Sequence, residues 1–213
     1  IEKGEGEILF FLFGLFGALS NFNQVIDHFS KTHKVVFLFL PLYDLAITSS
    51  TVSGMVAYLE KFVAFKGYKN LNILGNSLGG HIAQVYALNN LSNVNSLILT
   101  GSSGLFENSL GDSYPKKEDK EYIRAKTALT FYDPSNATDE LVNEVFETVN
   151  NRSKAIKIVT MAKSAVRHNL RTELHKLNVP VKLIWGQNDT ITPPFVAEEF
   201  ESLLPNASLT FID

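Results

Sequence analysis

Short apolar runs alternate along the chain with longer stretches in which apolar residues recur at helical spacing. The runs predict strands at residues 8–13, 35–40, 71–74, 94–100, 181–185 and 207–211. Most of them are apolar at nearly every position, which is typical of strands in a parallel sheet covered on both faces. The stretches 51–66, 77–89 and 194–203 predict helices, and Pro194 suits a first helical turn. This order predicts an α/β fold, with a mostly parallel sheet and helices on both faces.

Residues 102–178 interrupt the alternation, because they contain several amphipathic helical stretches and no convincing strand. Asp133 precedes Pro134, which disfavours a helical conformation and ends one stretch, and Thr138 is suited to cap the next. We interpret residues 102–178 as a helical lid inserted into a core formed by residues 1–101 and 179–213. Segments of this kind exclude water from a site and determine its selectivity.

The chemistry is concentrated in Gly75-Asn76-Ser77-Leu78-Gly79, which matches G-x-S-x-G between a predicted strand and a predicted helix. The motif needs this context, because its nucleophile lies on a strained strand-to-helix turn. Side chains at Gly75 and Gly79 would collide with the neighbouring strand and helix. Ser77 would then lie above the sheet edge at a helix N-terminus, which favours developing negative charge. An ordinary glycine-rich turn is the alternative, since the bare pattern is frequent by chance.

With this motif in its context, the chain resembles the α/β-hydrolase superfamily over nearly its whole length. The resemblance implies that the N–H of Leu78, directly after the nucleophile, donates to the oxyanion. Phe13-Gly14-Leu15-Phe16-Gly17 occupies the place where family members usually have His-Gly-x. By that match Leu15 supplies the second oxyanion donor, and Phe16 is the next candidate. Phe13 replaces the usual histidine, so the loop lacks a supporting hydrogen-bonding side chain.

The same resemblance implies an acid. Residues 181–194, with Trp185-Gly186-Gln187-Asn188-Asp189 at their centre, are similar to the family's penultimate strand, W-G-x-x-D loop and following helix. Asp189 is therefore expected to orient the catalytic imidazole and stabilise its charged form. A turn residue is the alternative interpretation of Asp189. Asp112 is the reserve acid, because some family members take it from the loop after the preceding strand.

The family's catalytic histidine follows the last strand, which places it beyond Asp213. The chain also starts at Ile1 rather than Met, and we expect a fragment that is inactive alone because its serine has no base. The five histidines of the chain are poor candidates for that base: His28, His33, His81, His168 and His175. His81 lies one helical turn beyond Ser77 and is expected to point along the helix. His168 and His175 are expected to be solvated.

A serine at the turn argues against dehalogenase and epoxide-hydrolase chemistry, which needs a carboxylate nucleophile. We therefore predict a serine hydrolase that cleaves a carboxylic ester of a small, largely apolar substrate through an acyl-enzyme. Carbon–carbon bond hydrolases of ring-cleavage products are an alternative, because their turns often read G-N-S-x-G-G, although their oxyanion loops are usually rich in Ser, Gly and Pro. An acyltransferase and a catalytically impaired ligand-binding module also remain.

Aromatic residues are the candidates for the substrate pocket, since ligand sites are mostly apolar and aromatic. We expect Phe16, Phe106 and Phe131 to line the substrate pocket. The alternative is that aromatic side chains in a helical insertion form the packing face that seats the insertion on the core.

Composition limits the kinds of molecule that the protein can be expected to bind. A net charge of −3 and a pI of about 6.0 argue against a nucleic-acid-binding protein, since such proteins usually have clustered Lys and Arg and a basic pI. The chain has no cysteine, which excludes thiolate metal sites and fits a reducing compartment, so we expect a cytoplasmic location. No metal-ligand or phosphate-binding motif is present, and we expect no cofactor and no metal.

The longest apolar stretch, residues 8–19, is shorter than the ~20 residues of a membrane helix. A small-molecule substrate is expected, and the oligomeric state stays open.

Overall fold

The computed structural model describes residues 1–15, 22–108 and 116–213, which form a seven-stranded sheet with helices around it. The strands are β1 (Glu2–Lys3), β2 (Ile8–Leu12), β3 (Lys34–Phe37), β4 (Leu71–Asn76), β5 (Val94–Thr100), β6 (Val181–Gly186) and β7 (Ala207–Ile212). Their order across the sheet is β1-β3-β2-β4-β5-β6-β7. β1 pairs antiparallel with β3, and every other neighbouring pair is parallel. The predicted α/β fold with a mostly parallel sheet is confirmed.

The helices are α1 (Asn23–Phe29), α2 (Val52–Lys66), α3 (Leu78–Asn89), α4 (Lys120–Ala128), α5 (Asp139–Asn150), α6 (Arg152–Arg167) and α7 (Pro194–Leu203). The bounds of α2 follow from its capping residues. The Thr51 side chain accepts a hydrogen bond from the Gly54 N–H at 3.1 Å, and Gly67 ends the helix with a φ of 66°. Such a left-handed residue stops a helix, and glycine adopts it without steric strain.

Both faces of the sheet are buried at β2. On β2, Phe10 and Leu12 belong to a large core cluster that also contains residues of α2 and α3. Leu9 and Phe11 point to the opposite face and pack in a second cluster with Ile26 of α1. Alternate residues of one strand thus enter two different apolar layers, which explains why the strand is apolar at every position.

The helices between β5 and β6 divide into two packing units. α4 and α5 enclose a small cluster of their own, formed by Ile123, Ala137, Val142, Val145 and Val149. α6 instead contributes Met161 and Ala165 to the main core. It is also tied to the core by hydrogen bonds, since Ser164 Oγ accepts from the Val52 N–H at 3.1 Å and Lys157 Nζ donates to the Tyr43 carbonyl at 2.7 Å. The division into core and lid remains a prediction.

Of the two helix boundaries predicted between β5 and β6, the cap at Thr138 is confirmed, whereas the preceding helix, α4, ends at Ala128 rather than at Asp133. The Asp133 carboxylate accepts from the Ser135 N–H at 2.9 Å and starts a short 3-10 turn, Pro134–Asn136. Thr138 caps α5, because its side chain accepts from the Leu141 N–H at 3.3 Å. Across the described ranges, no helix combines the length and the apolar character needed to cross a bilayer.

Candidate active site

Ser77 joins β4 to α3 in a strained backbone conformation, with a φ of 50° and a ψ of −122°. A non-glycine residue in such a region costs about 1–3 kcal/mol and needs surrounding structure to hold it. The Ser77 N–H donates to the Thr100 carbonyl at 3.1 Å. The Ser77 carbonyl accepts from the N–H groups of Gly80, His81 and Ser103 at 3.0, 3.2 and 3.1 Å. The turn is therefore held by β5, by α3 and by the segment after β5.

The glycines of the motif are needed for the steric reason predicted from the sequence. A Cβ on Gly75 would lie 2.5 Å from the Gly80 Cα, and one on Gly79 would lie 2.3 Å from the Leu12 carbonyl oxygen. Both distances are far below van der Waals contact with backbone that cannot move aside. Gly14 lies against the serine itself, because its Cβ would be 3.1 Å from Ser77 Cβ.

The predicted oxyanion donors flank this turn. Leu78 is the first residue of α3, where a backbone N–H has no partner within the helix. Leu15 directly follows Gly14, the residue that lies against Ser77. Neither N–H hydrogen-bonds to a described residue. Phe16, the next candidate donor and a predicted pocket residue, lies outside the described residues.

Asp189 lies in the loop after β6, at the same edge of the sheet as Ser77. Its Oδ1 accepts from the N–H groups of Ile191 and Thr192 at 2.8 and 2.9 Å, and its Oδ2 accepts from Thr192 Oγ1 at 3.0 Å. A Cβ on Gly101, directly after β5, would be 3.1 Å from Oδ2. Three adjacent parallel strands thus bring Ser77, Gly101 and Asp189 to one edge, where ligands bind in open α/β sheets. The reserve acid, Asp112, lies outside the described residues.

No described residue hydrogen-bonds to Ser77 Oγ, and none of the described histidines therefore occupies the position of a base. His81 is fully buried in α3, and its ring centroid lies 5.5 Å from that of His168. Burial, together with the charge of His168, lowers the pKa of His81 to about 4. The expectation that His168 is solvated is wrong, because it is only partly exposed and its Nδ1 is buried. The chain turns back onto α3 after α6, a tertiary contact that has no local signal.

The two described pocket candidates have other packing partners. Phe106 is 45% exposed and contacts Phe195 of α7, with ring centroids 5.5 Å apart. Phe131 packs against the cluster inside α4 and α5. That placement fits the packing alternative stated for the aromatic residues, and a role in the pocket remains a prediction.

Sequence reasoning missed Ser103 and Glu107, which lie beside the strand-to-helix turn at Ser77. Ser103 is 1% exposed, its N–H donates to the Ser77 carbonyl, and its Oγ donates to Glu107 Oε2 at 2.5 Å. Burial raises the pKa of the Glu107 carboxyl above its ordinary value, although the hydrogen bond from Ser103 opposes that rise. These residues could have been found from the order of the strands. Because β4 and β5 are parallel neighbours, the polar residues just after β5 lie beside the residues just after β4.

In the part of the chain that the structure describes, no three His, Asp or Glu side chains are grouped so that they could hold a metal ion. The chemistry available at this edge is that of a serine, an oriented carboxylate and backbone N–H groups.

Comparisons with known proteins agree with the fold. A family model described as the alpha/beta hydrolase fold matches residues 7–213. The solved structure of MGS-MChE2, an alpha/beta hydrolase enzyme from the metagenome of sediments of the Mar Chica lagoon in Morocco, is 42% identical. It aligns with a TM-score of 0.81 over 100% of this chain and 83% of that one.

Two curated relatives are more distant. A 2-hydroxy-6-oxononadienedioate/2-hydroxy-6-oxononatrienedioate hydrolase from Pseudomonas sp. is 26% identical over 190 residues, which is 82% of this chain and 67% of the relative. Lipase 3 of Moraxella sp. (strain TA144) is 22% identical over 223 residues, or 98% of this chain and 70% of that protein. Because the family model spans nearly the whole chain, the protein belongs to the alpha/beta hydrolase fold family.

Proposed function

We propose that the protein is a serine hydrolase that cleaves a carboxylic ester of a small, largely apolar substrate through an acyl-enzyme. The observation that carries this proposal is the conformation of Ser77. Its positive φ of 50° holds the residue at the N-terminus of α3, and its hydroxyl has no hydrogen-bond partner among the described residues. Strained backbone conformations of this kind cluster at active sites.

In the proposed reaction, Ser77 Oγ attacks the carbonyl carbon of the ester, and an imidazole removes its proton. The N–H groups of Leu78 and Leu15 donate to the oxyanion, whose charge is further stabilised by the α3 dipole. The alcohol departs with the proton from the imidazolium, and water then releases the acid by the reverse sequence. Asp189 orients the imidazole, and its three hydrogen bonds fix the carboxylate for that role.

The proposal assigns the base to a histidine following β7, the position that the family resemblance implies. His81 does not fit this role, because it is enclosed against His168 and makes no hydrogen bond to Ser77. A general base must come within about 2.6–3.2 Å of the hydroxyl whose proton it takes.

Carbon–carbon bond hydrolysis is the second candidate. The similarity to the Pseudomonas hydrolase favours it, as does the Gly75-Asn76-Ser77-Leu78-Gly79-Gly80 sequence. The bulky apolar residues Phe13 and Leu15 around Gly14, in place of a loop rich in small polar residues, favour the ester. The similarity to a lipase supports the same choice.

The test uses the protein expressed from its complete coding sequence. p-Nitrophenyl esters of two to eight carbons should be hydrolysed, and a fluorophosphonate probe should label Ser77, as mapped by peptide mass spectrometry. Ser77→Ala should abolish both, whereas Ser153→Ala, at an exposed serine of α6, should change neither. Cleavage of a vinylogous 1,5-diketone with no ester turnover would select the second candidate. Absence of Ser77-dependent reaction with either substrate would reject both.

A further inference from the structure

Residues 103–108 connect the two halves of the candidate site. At one end, the Ser103 N–H donates to the Ser77 carbonyl, and Gln84 Nε2 of α3 donates to the Ser103 carbonyl at 3.2 Å. At the other end, the Asn108 N–H donates to the Ile191 carbonyl at 2.6 Å, and Asn108 Nδ2 donates to the Thr190 carbonyl at 2.9 Å. One short segment is thus bonded to the nucleophile turn and to the loop that contains Asp189.

Glu107 folds this segment back on itself. Its Oε2 accepts from Ser103 Oγ at 2.5 Å across four residues, just before the Asn108 contacts begin. The carboxyl is partly buried, and no ion pair with a described residue accompanies it. Withdrawing an ionised carboxyl from water without a cationic partner is unfavourable unless hydrogen bonds compensate for the lost solvation. The short hydrogen bond from Ser103 Oγ provides such compensation, and Ser103 is the residue whose N–H donates to the Ser77 carbonyl.

We propose that Glu107 is a positioning residue for hydrolysis at Ser77, because its hydrogen bond to Ser103 sets the separation between the nucleophile turn and the Asp189 loop. Without that bond, Ser103 keeps its N–H but loses the contact that fixes the segment's curvature. The nucleophile and the acid then shift relative to each other. Displacements of about 1 Å reduce reaction rates by up to ~100-fold.

This role rests on the proposed hydrolysis, and its test therefore starts from a wild-type protein, made from the complete coding sequence, that shows Ser77-dependent ester turnover. Glu107→Leu should lower kcat at least about tenfold with KM within about twofold, because positioning acts on the reaction step more than on substrate binding. Glu107→Gln should recover most of the activity, since an amide oxygen still accepts from Ser103 Oγ. Glu198→Gln, at an exposed site on α7, removes the same charge and should have no effect.

A double-mutant cycle separates this contact from a general loss of folding. Ser103→Ala removes the hydroxyl and keeps the N–H, so it should lower kcat as Glu107→Leu does. The double variant should be no worse than either single variant, because both remove one interaction. Hydrogen exchange of the peptide that covers residues 101–108 should be faster in both single variants. That readout reports on the segment without depending on turnover.

The outcomes are distinct. Wild-type kcat in a folded Glu107→Leu or Ser103→Ala protein, or independent effects that multiply in the double variant, would overturn the role of Glu107 while leaving the hydrolase proposal intact. If Glu107→Leu does not fold, Ser103→Ala decides the question alone. A wild-type protein without Ser77-dependent turnover would overturn the proposed function, and the positioning role with it.

Discussion

The backbone N–H of Ser77 donates to the carbonyl oxygen of Thr100 at 3.1 Å, which joins the nucleophile turn to the end of β5. Asn76 strengthens this junction, because its Nδ2 donates to the carbonyl and to the hydroxyl of Thr100, each at 3.1 Å. The next residue, Gly101, lies against the Asp189 carboxylate. Two consecutive residues of one strand end therefore contact the candidate nucleophile turn and the candidate acid.

Gly101→Ala should impair hydrolysis. The residue has a φ of 47°, and the new Cβ would lie 3.1 Å from Asp189 Oδ2, so the carboxylate must shift. We expect kcat of the complete protein to fall about tenfold or more, as for other small displacements of catalytic groups. Steady-state hydrolysis of a p-nitrophenyl ester measures it.

Gly67→Ala is the matched control for this substitution. Its φ is 66°, and its Cβ would meet no atom within 4 Å. It should lower the free energy of unfolding by about 1 kcal/mol through the left-handed conformation and leave kcat unchanged. Equal losses of kcat in both variants would mean that strain alone, rather than the contact with Asp189, is responsible.

Asp189→Asn should lower kcat by two to four orders of magnitude. The amide oxygen can still accept hydrogen bonds from the loop, but the negative charge that stabilises the imidazolium is lost. Asp44→Asn, at an exposed position, removes the same charge elsewhere and should leave kcat unchanged. A kcat near that of the wild type in Asp189→Asn would show that Asp189 is not the acid that stabilises the imidazolium.

Replacing Ser77 should reveal the energy stored in the turn. Ser77→Gly and Ser77→Ala both lack the nucleophile, but only glycine adopts a φ of 50° with a ψ of −122° without strain. We expect Ser77→Gly to exceed Ser77→Ala in free energy of unfolding by about 1–2 kcal/mol. Urea denaturation of both variants measures the difference, and equal stabilities would show that the turn is relaxed.

Acid should destabilise the fold through His81. Burial lowers the pKa of His81 in the folded protein to about 4 from an ordinary value of 6.5. Between these two values the unfolded chain is protonated at His81 and the folded chain is not. The stabilisation is complete above pH 6.5 and is lost as the pH falls toward 4, by about 3 kcal/mol in total.

Urea denaturation between pH 7 and pH 4 tests this effect. His81→Phe should flatten the pH dependence of the unfolding free energy, whereas His175→Gln, at an exposed histidine, should leave the wild-type slope. Parallel curves for wild type and His81→Phe would show that other groups dominate acid denaturation.

The sequence predicted the elements whose signal is local. The apolar runs of β2, β4 and β6, the capping residue Thr138 and the glycines around Ser77 all carry their information within a few residues. β1 was missed, because Glu2 and Lys3 are polar and pair only through their register with Val36 and Val35. The same lack of a local signal applies to features of the site.

Contacts between distant segments escaped prediction. The bond from Ser103 to the Ser77 carbonyl depends on the adjacency of two strand ends, and the approach of His168 to His81 depends on how the chain returns after α6. Neither pairing has a sequence period or motif, because it arises from the path of the backbone in three dimensions.

The apolar cluster within α4 and α5 also has a consequence for the divergence of this sequence during evolution. Val142 and Val145 pack within that helical pair, whereas Ile73 and Leu99 pack in the sheet core. Substitutions at distant sites that share no partners act on stability almost independently. Substitutions of Val142 or Val145 can therefore accumulate with little effect on the contribution that Ile73 and Leu99 make to stability.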